Sequence, residues 1–140
     1  MVINLIKKLK ILLVGSIFLI SLPVKGDWIK IAESDIGVKY FFDYEYVSKK
    51  EDLVLFTILE NHKVKTPGGH LSTLLYMQGN CENSSIKWSK GEFSKKSYDF
   101  QKDWFLDVPK LLYISNPEWQ YVSYESPWGK ALKKACEFKL

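Results

Sequence analysis

Apolar and polar residues alternate with a period of two along much of this chain, the spacing of strands rather than helices. Trp28, Ile29, Lys30 and Ile31 open a short half-buried pattern, and SDIG supplies a turn. VKYFFDYEYV then sets Tyr40, Phe42, Tyr44 and Tyr46 on one parity. Because successive strand side chains point to opposite faces, this predicts a strand with one aromatic face, at least as far as Phe42. DLVLFTILE is apolar on both parities, with Leu53, Leu55 and Leu59 on one and Val54, Phe56 and Ile58 on the other. That pattern predicts a central strand covered on both faces.

NHKVKTPGGH carries Pro67, Gly68 and Gly69 and reads as a loop. STLLYMQGNC follows as a strand that points Leu75, Met77, Gly79 and Cys81 one way. Asn83 and Ser84 turn the chain into IKWSKGEF, where Ile86 and Trp88 share a face and Lys87 and Ser89 oppose them. From Ser94 to Glu118 the period fades, and Pro109, Asn116 and Pro117 interrupt it; one irregular strand and a long loop are expected, then a short final strand at WQYVS.

The end of the chain changes period. In SPWGKALKKACEFKL, Trp128, Ala131, Leu132, Ala135 and Cys136 recur on one face of a helix from about Pro127 to Glu137, with Lys130, Lys133 and Lys134 outward. Ser126 is placed to accept from the free N–H groups of the first turn, and proline is tolerated at the first helical position.

Residues 1–26 form a separate unit. Lys7, Lys8 and Lys10 precede the apolar run ILLVGSIFLISLPV, which Pro23 closes before it reaches the length of a membrane span, and Val24 and Gly26 offer small residues for cleavage before Asp27. A secretory signal peptide is expected over 1–26 and one domain over 27–140. No cysteine lies near Gly26 and Asp27, so no lipid anchor is expected there; the product is exported, periplasmic or secreted.

Cleavage also alters the charge. Four of the 20 basic residues leave with the leader, so the remaining chain balances its 16 acids. Every basic residue is lysine, and without an excess of positive charge or the bidentate guanidinium fork, nucleic acid is not an expected partner.

Two cysteines in an exported chain point to a disulfide. Cys81 ends a strand on the face of Leu75 and Met77, and Cys136 lies on the apolar side of the helix, so a bond between them pins the helix across the sheet. A thiol catalyst needs a base to form thiolate, and the only histidines, His62 and His70, lie beside the PGG turn with no catalytic signature near them. The same four residues lack the close ligand pairs of a structural zinc site, so no metal is expected and the histidines read as solvent-facing loop residues. Asp43, Glu45, Glu51, Asp52, Asp99, Asp103 and Asp107 show no spacing that singles out an acid and base pair. No catalytic residue is therefore assigned. Most of the aromatic residues are needed to build a core, but Trp104, Phe105 and Leu106 sit between charged flanks in the irregular stretch, and exposed they form a partner-binding patch.

The order of these features resembles the surface-adhesin protein E family of exported bacterial proteins. DWIKIAESDIGVKYFFD near the start, LLYMQGNC in the middle and EWQYVSYESPWGKALKKAC at the end carry the resemblance. It implies an α+β fold, an antiparallel sheet of about six strands with a C-terminal helix held on one face by a disulfide, here Cys81 to Cys136. The family's prototype binds host matrix proteins such as vitronectin and laminin, binds haem and forms dimers. The expected function is that of an exported, non-enzymatic binding domain that recognises a protein or cell-envelope ligand through one sheet face or the aromatic loop, with no cofactor, and the prototype's dimers make a homodimer a candidate assembly. A second class of function is a small-ligand carrier of haem type, with His62 or His70 as an axial group.

Overall fold

The structure, a computed structural model, describes residues 27–139. The expected signal peptide over 1–26, with Gly26, lies outside the described residues, which open at Asp27. Ten strands and one helix follow in order: β1 (Trp28–Glu33), β2 (Lys39–Asp43), β3 (Ser48–Lys50), β4 (Leu53–Asn61), β5 (Ser72–Asn80), β6 (Ser85–Ser94), β7 (Tyr98–Asp99), β8 (Trp104–Phe105), β9 (Lys110–Tyr113), β10 (Gln120–Tyr121) and α1 (Pro127–Glu137).

The main sheet is antiparallel and eight-stranded. Its path runs β1-β2-β4-β5-β6-β10, with β3 added beside β4 and β9 beside β6. One face carries Phe42, Val54, Phe56, Ile58, Leu75, Met77 and Ile86, and α1 lays Ala131, Leu132 and Ala135 on them to complete the buried core. Leu132 fits because the strand beneath it has a gap: a Cβ on Gly79 would stand 2.3 Å from Leu132 Cδ1.

The helix begins and ends where its sequence pattern predicts. Ser126 Oγ accepts from Gly129 N at 3.1 Å, and Pro127 occupies the first turn. Trp128 Nε1 reaches down from that turn to Glu60 Oε1 at 2.7 Å. At the other end Cys136 is bonded to Cys81, with Cα atoms 5.8 Å apart. Lys134 is not wholly outward as expected; its Nζ donates to Tyr44 OH at 3.2 Å.

The opposite face of the sheet is covered over part of its area, by the segment expected to be an irregular strand and loop. That segment instead forms three short strands. β7 and β8 pair as a small hairpin, and β9 joins the main sheet. Tyr98 is the hairpin's centre: Phe105, Phe100 and Trp28 pack on it with ring centroids 5.2, 5.3 and 6.0 Å away. Phe100 also meets Phe41 at 4.6 Å. Trp28 Nε1 and Tyr98 OH both donate to Asp103 Oδ1, at 2.9 and 2.7 Å. Burial, then the bond to Asp103, raises the Tyr98 phenol well above its ordinary value.

The hairpin explains why β4 departs from its predicted pattern. Leu59, beside Phe41 and Leu74 in the register, is fully buried under it. Leu53 and Leu55 lie beyond its reach and are exposed. The sheet is therefore covered on both faces at one end and on the helix side alone at the other.

A second departure lies in β6. Tyr76 pairs with Lys90 but Met77 pairs with Trp88, so Ser89 is an extra residue bulged out of the ladder. The bulge resets the parity. Lys87, paired with Gln78, and Lys90 end on the same, helix-free face although they are three positions apart.

Candidate functional site

Three features of the surface have the shape or chemistry of a binding site. The first is the predicted patch at β8. Trp104 and Leu106 are 59% and 50% exposed, and Val108 beside them is 94% exposed. Phe105 departs from the expectation: it turns inward onto Tyr98 and is half-buried, because adjacent strand residues face opposite ways. A shallow depression of about 420 Å³ next to the patch is lined by Leu74, Glu92, Trp104, Val108 and Pro109. Lys102 Nζ lies 5.9 Å from the centre of the Trp104 ring.

The second feature is the open end of the helix-free face. A groove of about 200 Å³ there is lined by Tyr46, Leu55, Tyr76, Gln78, Lys87 and Ser89, among others. Tyr46 meets Tyr76 edge-on at 6.1 Å. Tyr76 OH lies 3.2 Å from Glu92 Oε2, to which it donates, and Lys90 Nζ sits 4.4 Å from the Tyr76 ring centre. Burial and the Glu92 carboxylate push the Tyr76 phenol up to about 12, so it stays neutral and a donor at physiological pH. Tyr113 and Tyr121 stand 65% and 81% exposed along the same edge.

The third feature lies on the helix side. A cleft of about 300 Å³ opens between the start of α1 and the 62–71 loop, walled by Trp88, Phe93 and Trp128 with His62, His70 and Glu60. The histidines were expected to face solvent. Both are instead half-buried in this cleft, since Thr66 and Gly69 fold the PGG turn back on the sheet: Thr66 N donates to His70 O at 2.9 Å and Gly69 N to Thr66 O at 2.8 Å. His70 packs on Phe93 with centroids 5.2 Å apart. His62 Nε2 is 3.4 Å from Glu60 Oε2. Burial raises the Glu60 carboxyl above its ordinary value, and the Trp128 and His62 bonds oppose that rise.

Cys81 and Cys136 are joined to each other and take no part in any of these sites. Among the described residues no group of three or more histidines, cysteines and acids is placed to hold a metal ion. Sequence reasoning passed over Glu60, although its parity with Phe56 and Ile58 marks it as an acid on the core face. Lys90 had no such signal, because its direction depends on the bulge at Ser89.

Comparison with protein-family models finds no match for this chain, and no curated protein is significantly similar to it.

Proposed function

We propose that the protein is an exported binding domain without enzymatic activity, which recognises a protein or cell-envelope ligand through the side of the sheet opposite α1. The observation that carries this reading is the concentration of exposed aromatic and aliphatic side chains on that side: Trp104 on the hairpin with Leu106 and Val108 just after it, Leu55 and Tyr113 on the open strands, and Tyr46 in the turn before β3. Exposed apolar groups gathered in one region, rather than scattered, mark surfaces of association. The disulfide supports an oxidising, exported setting, and the order of sequence features shared with the surface-adhesin protein E family supports binding over catalysis.

The test is retention on washed native envelope. Paired Trp104→Ala and Leu106→Ala replacements should leave the fold intact, since both side chains are half or more exposed, yet reduce retention by about 30-fold if the patch contains a binding hot spot. Unchanged retention by that variant removes the hairpin from the binding surface.

A second reading rests on one specific observation, that His62 and His70 line the same aromatic cleft. It makes the protein a carrier of a small planar ligand. The donor types suit haem, imidazole being a common axial ligand, while the volume stands at the small end of ligand sites, which run from about 300 Å³ upward. Titration with haem should produce a Soret shift that disappears when both histidines are replaced by alanine. No shift, or one that survives the double replacement, eliminates histidine ligation.

A further inference from the structure

The open end of the helix-free face has a regular layout that its exposure alone does not convey. Two rows of side chains cross the strands. In one, Leu55 stands beside Gln78 and Gln78 beside Lys87. Trp119 continues this row one residue before the Gln120 to Ile86 pairing, and its ring centre lies 4.5 Å from Lys87 Nζ. In the other row Tyr76 stands beside Lys90 and Lys90 beside Tyr113. Rows two residues apart along a strand are separated by about 7 Å, and rings two strands apart, as Tyr76 and Tyr113 are, by about 10 Å.

In each row an ammonium group lies over an aromatic ring, Lys87 on Trp119 and Lys90 on Tyr76, and by register position the second row reads ring, ammonium, ring. The arrangement depends on the Ser89 bulge; in a regular strand Lys90 would point into the core with Trp88. Lys87 and Lys90 outnumber the carboxylate nearest in the register, Glu92, which accepts from the Tyr76 hydroxyl.

We infer that this face binds an anionic polysaccharide, one whose sugar rings lie on the aromatic side chains while carboxylate groups meet Lys87 and Lys90. The C–H face of a pyranose carries slight positive charge and complements the negative face of an aromatic ring, as an aromatic edge does. Two strand spacings match the length of a linked pair of pyranose rings, so alternating ring and ammonium positions meet alternating sugar faces and acid groups. Gln78 and Ser89, in the same groove, supply neutral hydrogen bonds of the kind that hydroxyl-rich ligands use. A single-stranded nucleic acid also pairs stacking with negative charge. The polysaccharide is favoured because Gln78 and Ser89 suit hydroxyl groups and no arginine is present to supply the planar fork that matches phosphate. The inference rests on the reading of the protein as a binding domain and names the ligand class and the surface.

The experiment is a titration of the purified protein, followed by tryptophan fluorescence, with polygalacturonate, its methyl ester and single-stranded DNA. Polygalacturonate should bind, the uncharged ester should bind at least about ten-fold more weakly, and added salt should weaken binding of polygalacturonate and not of its ester. Joint replacement Lys87→Gln and Lys90→Gln, or Tyr113→Ala alone, should each reduce polygalacturonate affinity about ten-fold with no change in melting temperature, while Lys133→Gln on the exposed face of α1 should not. The inference is overturned if the ester binds as well as the acid, if DNA binds more tightly than polygalacturonate, or if the variants bind like the parent. Retention on native envelope without polygalacturonate binding overturns this inference and leaves the binding reading standing; failure of both assays removes both.

Discussion

Removing the Cys81–Cys136 bond should be the most damaging covalent change this domain can undergo. The bond closes a sequence separation of 55, for which the loop-entropy model gives roughly 4 kcal/mol of stabilisation. A single domain of this size has about 5–15 kcal/mol in total, so the loss is a large part of it. It should also act unevenly. Among the described residues α1 is the only helix, and the bond holds its last turn over β5 while Trp128 holds the first turn to Glu60. Cys81→Ser with Cys136→Ser should therefore lower the melting temperature by on the order of 20 °C. Hydrogen exchange should rise first in α1 and only afterwards in β4 and β5. A melting temperature within a few degrees of the parent would show that the apolar contacts of Leu132 and Ala135 suffice.

The second large effect is expected from the smallest of changes, Gly129→Ala. In an isolated helix this substitution is favourable by about 1 kcal/mol, because alanine restricts the unfolded chain and suits the helix. Here the sign should reverse. A Cβ at Gly129 would lie 1.6 Å from the carbonyl oxygen of Ser123 and 2.9 Å from Ser126 Oγ. Ser123 O is not free to move, since it accepts from both Ser126 N at 3.0 Å and Ser126 Oγ at 2.6 Å. The clash is with backbone at the point where the chain enters the helix, so relief requires either the cap or the helix axis to shift. A cost of about 3 kcal/mol or more is expected, read as a lower urea midpoint with an unchanged slope. Lys130→Ala, one residue on and exposed, should stay within about 0.5 kcal/mol of the parent. A neutral Gly129→Ala would mean that the Ser123 to Ser126 turn yields readily and that the helix entry is not fixed.

Both effects fall on the part of the fold that was most legible in the sequence. The helix is announced by Ser126 and Pro127, by apolar residues at helical spacing and by an even cysteine count, and each of these signals is local or arithmetic. The long strands β4, β5 and β6 were readable for a similar reason: nine or ten residues give the period of two room to show. The segment from Ser94 to Glu118 was not readable. β7 and β8 have two residues each, too few for any period, and Tyr98 is a core residue in part because Trp28, distant in sequence, packs on it. The groove was hidden by a single inserted residue. Parity counted through Ser89 places Lys87 and Lys90 on opposite faces, and only the strand pairing of Tyr76 and Met77 shows that they share one. His62 and His70 illustrate the same limit, since a polar loop beside PGG gives no sign of which way it folds. Candidate sites were thus least visible where they depend on a bulge, a turn or a short hairpin, the irregular features that direct side chains away from their expected positions.

Hydroxyl-radical footprinting of the protein bound to its native envelope, compared with free protein, tests most directly whether recognition uses the side opposite α1. Protection is expected at Trp104 and Leu106 or at Tyr46, Tyr113 and Trp119, all exposed on that side, with the α1 surface and the cleft residue Trp88 unchanged. Protection confined to α1 and the His62 to His70 cleft, or no protection at all, would contradict it.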